Sequence, residues 1–145
     1  MIIGGEILKP LNDSLGFIAA RSNVKGFLCE YMTSGRVLVL GDPGPWMCAG
    51  MTGGVLYLRL QPHLNFDQAA IQRRLGKGAK VSVQEVGESD LQNLRELLTM
   101  YADELKHNHQ IEESQKALDL LVDWKSTFVR VVPLGQQEEQ KFATE

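Results

Sequence analysis

The sequence predicts a mainly β fold with α: a short parallel β-helix built from 19-residue coils, followed by a C-terminal helical segment packed on it. Three observations carry this expectation. Tyr31-Met32-Thr33-Ser34-Gly35 returns 19 positions later as Gly50-Met51-Thr52-Gly53-Gly54, and laying residues 24–42 over 43–61 pairs Phe27 with Trp46, Cys29 with Cys48 and Met32 with Met51. Fixed-period self-similarity near 20 residues marks units that bury their apolar face only by stacking on a neighbour. The runs after each copy, Val37-Leu38-Val39-Leu40 and Val55-Leu56-Tyr57-Leu58, are β-branched, aromatic and aliphatic, of strand length, and bounded by glycines. Finally, ten of the 14 glycines precede residue 62 while 14 of the 18 acidic residues follow it, which separates a coil half from a helical half.

The order of elements follows from these signals. A weaker third register places Gly16 in line with Gly35 and Gly54, so the three form one repeated corner at which glycine supplies a positive φ. Leucine-rich repeats fail on pattern, lacking the Leu-rich consensus and the Asn or Cys ladder. Separate hairpins would leave the matched spacing of Cys, Met and Thr unexplained. The coils are expected to span 1–62 and to exit at Pro62, since proline cannot donate to a ladder. A helix-strand-helix-helix-strand extension over 63–135 should follow. Asp67 is positioned to cap a helix that runs to residue 75, before an alternating strand over 80–84. Ser89 with Gln92 has capping-box spacing, and Leu91, Leu94, Leu98, Tyr101 and Leu105 follow at helical steps. A further helix is expected over about 112–124, a strand over 128–132 ending at Pro133, and a flexible tail over 136–145.

Composition bounds the function. With 43% hydrophobic and 23% charged residues in 145, the chain reads as one globular domain. No apolar stretch approaches the roughly 18 to 20 residues of a membrane span, and no basic-then-apolar leader is present. A soluble, cytoplasmic protein is expected, with no membrane partner. A net charge of −3 gives no pull toward nucleic acid, so none is expected as partner. Cys29 and Cys48 occupy one place in successive repeats. Their expected spacing permits a disulfide, yet stacked side chains point the same way and a cytosolic setting favours buried free thiols.

The sequence offers little chemistry, and no catalytic, cofactor-binding or metal-binding residue is assigned; no cofactor is expected. His107-Asn108-His109 is the one local cluster with ligand character, but it leaves a zinc site short of ligands and reads as a solvated loop; His63 stands alone. No histidine is placed to activate either cysteine. Gly41-Asp42-Pro43-Gly44-Pro45 lacks the Lys and Ser/Thr of a phosphate loop and reads as a corner. Phe27, Trp46 and Tyr57 read as coil core, and Arg73, Arg74, Lys77 and Lys80 as a solvated basic face.

The phrases at 29–35, 39–41 and 49–57 resemble the glycine-repeat C-terminal domain of the glutamate synthase large subunit, whose coils carry Tyr-Met-Thr-Gly-Gly and Ala-Gly-Met-Thr-Gly-Gly; only Ser34 departs. The likeness extends through Trp124 to the Phe128-to-Pro133 strand, while Glu112-Glu113-Ser114 keeps only the serine of the family's Thr-Gly-Ser turn. The resemblance implies a right-handed β-helix that acts as a spacer without catalytic chemistry, here in a stand-alone version. A non-catalytic structural subunit is therefore expected, docking amidotransferase-like and flavin-dependent synthase-like partners within an oxidoreductase complex of nitrogen metabolism, or self-associating through the end of the stack near residues 1–20. The alternatives are a small stand-alone enzyme or ligand-binding module, or a protein like the C subunit of formylmethanofuran dehydrogenase.

Overall fold

The computed structural model describes residues 1–15, 18, 22–24 and 27–134. Gly16 of the expected corner ladder and the expected tail over 136–145 lie outside the described residues. The described chain is a mixed α/β structure with one open five-stranded sheet. Its strands are β1 (Ile2–Ile3), β2 (Arg36–Val39), β3 (Val55–Arg59), β4 (Val81–Glu85) and β5 (Phe128–Pro133), arranged β1-β2-β3-β5-β4. The helices are α1 (Gln68–Arg74), α2 (Glu88–His107), α3 (Ile111–Asp119) and α4 (Trp124–Thr127).

The 19-residue repeat is the register of the sheet. β2 and β3 pair in parallel as Arg36 with Val55 through Val39 with Leu58, each pair 19 positions apart. The same register continues outside the strands, where hydrogen bonds join residues 18 or 20 positions apart on either side of the 19-residue step. Cys48 N–H donates to Leu28 C=O at 2.8 Å, Tyr31 N–H to Ala49 C=O at 2.8 Å, Thr52 N–H to Met32 C=O at 2.8 Å and Val55 N–H to Gly35 C=O at 3.0 Å. Residues 28–39 therefore lie on residues 47–58 as one layer on the next.

The far half of the sheet departs from a simple stack. β5 lies beside β3 and β4 beside β5, both pairings antiparallel, so the two expected strands of the extension join the sheet of β2 and β3 rather than packing on it. Alternating hydrophobicity identifies a strand but not its neighbour or its direction. At the other edge, β1 pairs in parallel with β2. The edge of β2 is thus covered by the chain's own first residues.

Both faces of the sheet are buried, which is why β2 and β3 read as continuous apolar runs rather than alternating ones. Val37, Val39, Leu56 and Leu58 pack on one face of the sheet with Met47, Cys48, Phe66 and Ile71. Leu38, Leu40, Tyr57 and Phe128 point the other way, onto Leu94, Leu97 and Leu98 of α2. Each fully buried Leu or Phe contributes roughly 1.5–3 kcal/mol relative to exposure.

The helices follow their sequence signals with two corrections. Asp67 caps α1, its carboxylate accepting the Ala70 N–H at 3.0 Å. The expected Ser89–Gln92 capping box is not used: Gly87 is the N-cap, and the Asp90 carboxylate accepts the Gly87 N–H at 2.8 Å. A carboxylate serves this place better than an amide, because it also meets the positive end of the helix dipole. The helix expected over 112–124 ends at Asp119, and Trp124 opens the separate α4. Leu120, Leu121 and Val122 cannot share one helical face; Leu120 and Leu121 turn inward while Val122 is left exposed. Ser114, kept from the Thr-Gly-Ser phrase, locks α3 onto α2 by donating its hydroxyl to Ala102 C=O at 2.7 Å.

Candidate functional site

The repeated corner is built on three left-handed positions in each layer. Gly35 and Gly54 have φ of 96° and 83°, as the corner ladder requires, but Cys29 (58°) and Cys48 (66°), and Tyr31 (55°) and Gly50 (69°), are left-handed too. A non-glycine residue pays a steric penalty there. The corner is therefore held by the stacking of the layers rather than by local preference.

Close approach explains where glycine is compulsory. A Cβ on Gly53 would stand 1.9 Å from the Thr33 carbonyl oxygen, and one on Gly50 would stand 2.4 Å from the Tyr31 ring. Outside this corner the aromatic expectation divides. Tyr57 is fully buried, whereas Phe27 and Trp46 are 59% and 50% exposed, stacked on one another with ring centroids 5.5 Å apart. Tyr31 is 72% exposed. Equivalent positions of two layers thus present aromatic rings outward, which corrects their assignment to the core.

Both cysteines are free, Cys48 buried and Cys29 partly so. Hydrogen bonding to Cys29 and burial push the Cys48 thiol above its ordinary range, while the Cys48 S–H favours the Cys29 thiolate against the opposing effect of burial. Brief alkylation of the native protein should therefore label Cys29 alone and, after denaturation, both; mass spectrometry that finds no alkylatable thiol would contradict this assignment.

A buried ion cluster ties the layers to α1. Arg74 Nε and Nη2 hold the two carboxylate oxygens of Asp42 at 2.8 and 2.9 Å, Nη1 and Nη2 hold those of Asp13 at 2.7 and 2.9 Å, and Nη1 also donates to Ala70 C=O at 3.0 Å. All five guanidinium donors are satisfied. Arg74 is 1% exposed and lies over the Phe66 ring. Burial alone would lower its pKa, but the two carboxylates more than offset this and raise it. The Arg74 hydrogen bond lowers the Asp13 pKa against burial, aided by Arg73. Asp42 also accepts the Gly44 N–H at 2.9 Å, so Gly41-Asp42-Pro43-Gly44-Pro45 is a corner as its composition implies. The basic run is not a uniform solvated face: Lys77 and Lys80 are exposed, but Arg74 is the centre of this cluster and Arg73 pairs with Asp13.

On the opposite face, the Tyr57 hydroxyl donates to Asp90 at 2.8 Å and accepts from the Asn93 amide at 3.0 Å. Asp90 also accepts from Arg130 at 3.1 Å, and Arg130 donates to Gln84 at 2.9 Å. Burial pushes the Tyr57 phenol up to about 12, with the Asn93 hydrogen bond opposing and Asp90 adding. The network fastens the first turn of α2 to three strands. Tyr57→Phe should cost about 1–3 kcal/mol in urea melts at neutral pH, because it leaves Asp90 and Asn93 short of a partner inside the fold; an unchanged midpoint would contradict the network's role.

One cleft of about 450 Å³ lies between the N-terminal segment, the sheet end and the α2–α3 hairpin, and Arg59 lies in its wall. The histidines do not converge on it. His107 ends α2, His109 follows in a left-handed turn, and His63 sits in the turn after β3; all three are exposed. Among the described residues no three His, Cys, Asp or Glu side chains are grouped to hold a metal ion, and no helix is long and apolar enough to cross a membrane.

The doubled Met-Thr-x-Gly corner and its 19-residue register are what comparison with known proteins recognises: residues 16–134 match the family described as the GXGXG motif. The chain belongs to the GXGXG motif family. Similar curated proteins include the glutamate synthase [NADPH] large chain of Bacillus subtilis (strain 168), 35% identical over 79% of this chain and 7% of that protein. The ferredoxin-dependent glutamate synthase of Antithamnion sp. is 34% identical over 75% and 6%, and that of Cyanidium caldarium is 50% identical over 31% and 3%. The chain thus spans less than a tenth of the length of these relatives.

The GXGXG fold also accounts for Ser34. Its counterpart Gly53 has the Thr33 backbone directly against it, whereas Ser34 is exposed, so a side chain is tolerated in the one layer and excluded from the other. Sequence reading missed the Asp13–Asp42–Arg74 and Tyr57–Asp90–Arg130 groups. One signal was present: Arg130 interrupts an apolar strand, and a charge inside such a run needs a buried partner.

Proposed function

We propose that this chain is a non-catalytic structural unit of a glutamate synthase-type assembly, working in the cytoplasm and docking an amidotransferase-like and a flavin-dependent synthase-like subunit. Its coils act as a short right-handed parallel β-helix, and the polar clusters of Arg74 and Asp90 serve to hold layers and helices in register. The observation that carries the reading is the outward aromatic corner: Phe27, Tyr31 and Trp46, on equivalent or neighbouring positions of two layers, are exposed over a backbone fixed by glycine contacts. Aromatic residues on a rigid frame supply large contact area at little entropic cost, which suits a docking surface. The glutamate synthase identity of the relatives supports the choice of partners.

The test is co-purification of the tagged chain with amidotransferase-like and synthase-like subunits of the same cell. The reading expects a stable complex that the Tyr31→Ser, Trp46→Ser double variant loses while keeping its melting temperature. A chain that stays monomeric in light scattering and retains neither subunit would overturn it.

A further inference from the structure

Arg59 is the exception among the described arginines that are partly or wholly buried. Of those described as partly or wholly buried, Arg36 holds Glu96, Arg74 holds Asp13 and Asp42, and Arg130 holds Asp90. Arg59 ends β3 on the α2 side of the sheet, is partly buried, and has no hydrogen-bonded or ion-paired side chain among the described residues. A guanidinium taken partly out of water with no carboxylate in hydrogen-bonded contact is costly, and a bidentate carboxylate is the ligand that its fork fits.

The cleft around it is shaped for a small molecule. Its volume of about 450 Å³ falls in the usual range for ligand sites. Tyr101 forms part of the wall, and its hydroxyl lies so close to the N-terminal segment that a Cβ at Gly4 would stand 2.2 Å from it. Leu40, Leu105 and Leu120 supply an apolar surface, and Glu6, Glu113 and Asp119 supply acidic groups. Lys116 is engaged with Glu113 at 3.3 Å. A ligand bearing only a negative charge would meet Arg59 but also the three carboxylates; one bearing a carboxylate and an ammonium meets both signs.

We propose that the Arg59 cleft binds a small zwitterion, an α-amino acid whose carboxylate pairs with Arg59 and whose ammonium faces the acidic rim. The apolar wall accommodates an aliphatic side chain. Burial lowers the Arg59 pKa, and Glu6 acts in the opposite direction without an ion-pair contact. The site is independent of the scaffold reading, because the aromatic corner contributes none of its residues.

Isothermal titration of the purified chain tests it, with L-leucine and L-alanine as probes and 4-methylpentanoate and 3-methylbutylamine as the two half-molecules of leucine. The expected result is saturable binding of at least one amino acid, at least about tenfold weaker binding of either half-molecule, and a loss of at least about tenfold in Arg59→Gln. Thermal melting of Arg59→Gln within a few degrees of the parent assigns that loss to the site rather than to the fold. No saturable heat with either amino acid up to about 10 mM, equal affinity for the carboxylate alone, or an Arg59→Gln variant that binds as the parent does would overturn the proposal.

Discussion

Arg74→Met should destabilise the protein by about 3–5 kcal/mol, the cost of breaking a buried ion pair from one side. The arginine is 1% exposed and Asp42 2%, so the variant strands carboxylates that water cannot reach. Methionine conserves much of the stem's packing against Phe66, which confines the loss to the guanidinium. The deficit has a pH signature. Asp13 has a folded pKa below its unfolded value, so its contribution is present above the ordinary carboxylate pKa of about 3.9 and is lost as pH falls through the folded value. In the variant the largest cause of that depression is removed, and only Arg73 remains to oppose burial. Urea melts should therefore show the gap between parent and variant widest near neutrality and shrinking as the pH falls below about 4. A gap that stays constant with pH, or falls under about 1 kcal/mol, would mean that the cluster does not hold the layers to α1.

Gly53→Ala should cost at least about 3 kcal/mol, the top of the range for an added methyl in a packed interior. The obstacle is the main-chain carbonyl of Thr33, 1.9 Å from the new Cβ, and a carbonyl held in the next layer cannot rotate aside as a side chain would. The layers must separate, which strains the Thr52-to-Met32 hydrogen bond of 2.8 Å. Gly87→Ala is the internal comparison. A Cβ there meets nothing within 4 Å, so the change should cost about 1 kcal/mol or less at the head of α2. Equal denaturation midpoints for the two variants would contradict the layered reading of the corner.

These effects also indicate what the sequence could and could not disclose. The repeat spacing gave the register of β2 on β3 directly, because stacked layers place equivalent residues side by side. Glycine spacing located the Gly35 and Gly54 corner, but not the left-handed Cys29, Tyr31 and Cys48, since those residue types have no preference for that conformation and adopt it under constraint from the next layer. The direction of β5 was hidden, as alternation says nothing about which strand lies beside it. Phe27 and Trp46 were misplaced for a related reason: hydrophobicity alone does not distinguish a ring turned into a coil from one turned out of it. The Asp13–Arg74 and Asp42–Arg74 pairs link residues some 60 and 30 positions apart, and no local pattern marks partners at that range.

Adding the purified chain to purified amidotransferase-like and flavin-dependent synthase-like subunits, and following glutamine-dependent glutamate formation, tests the assembly role most directly. The account predicts no activity from the chain alone, a rise of at least about tenfold when all three are combined, and little of that rise with the Tyr31→Ser, Trp46→Ser variant. Turnover by the chain alone, or a full rate from the two partners without it, would contradict the account.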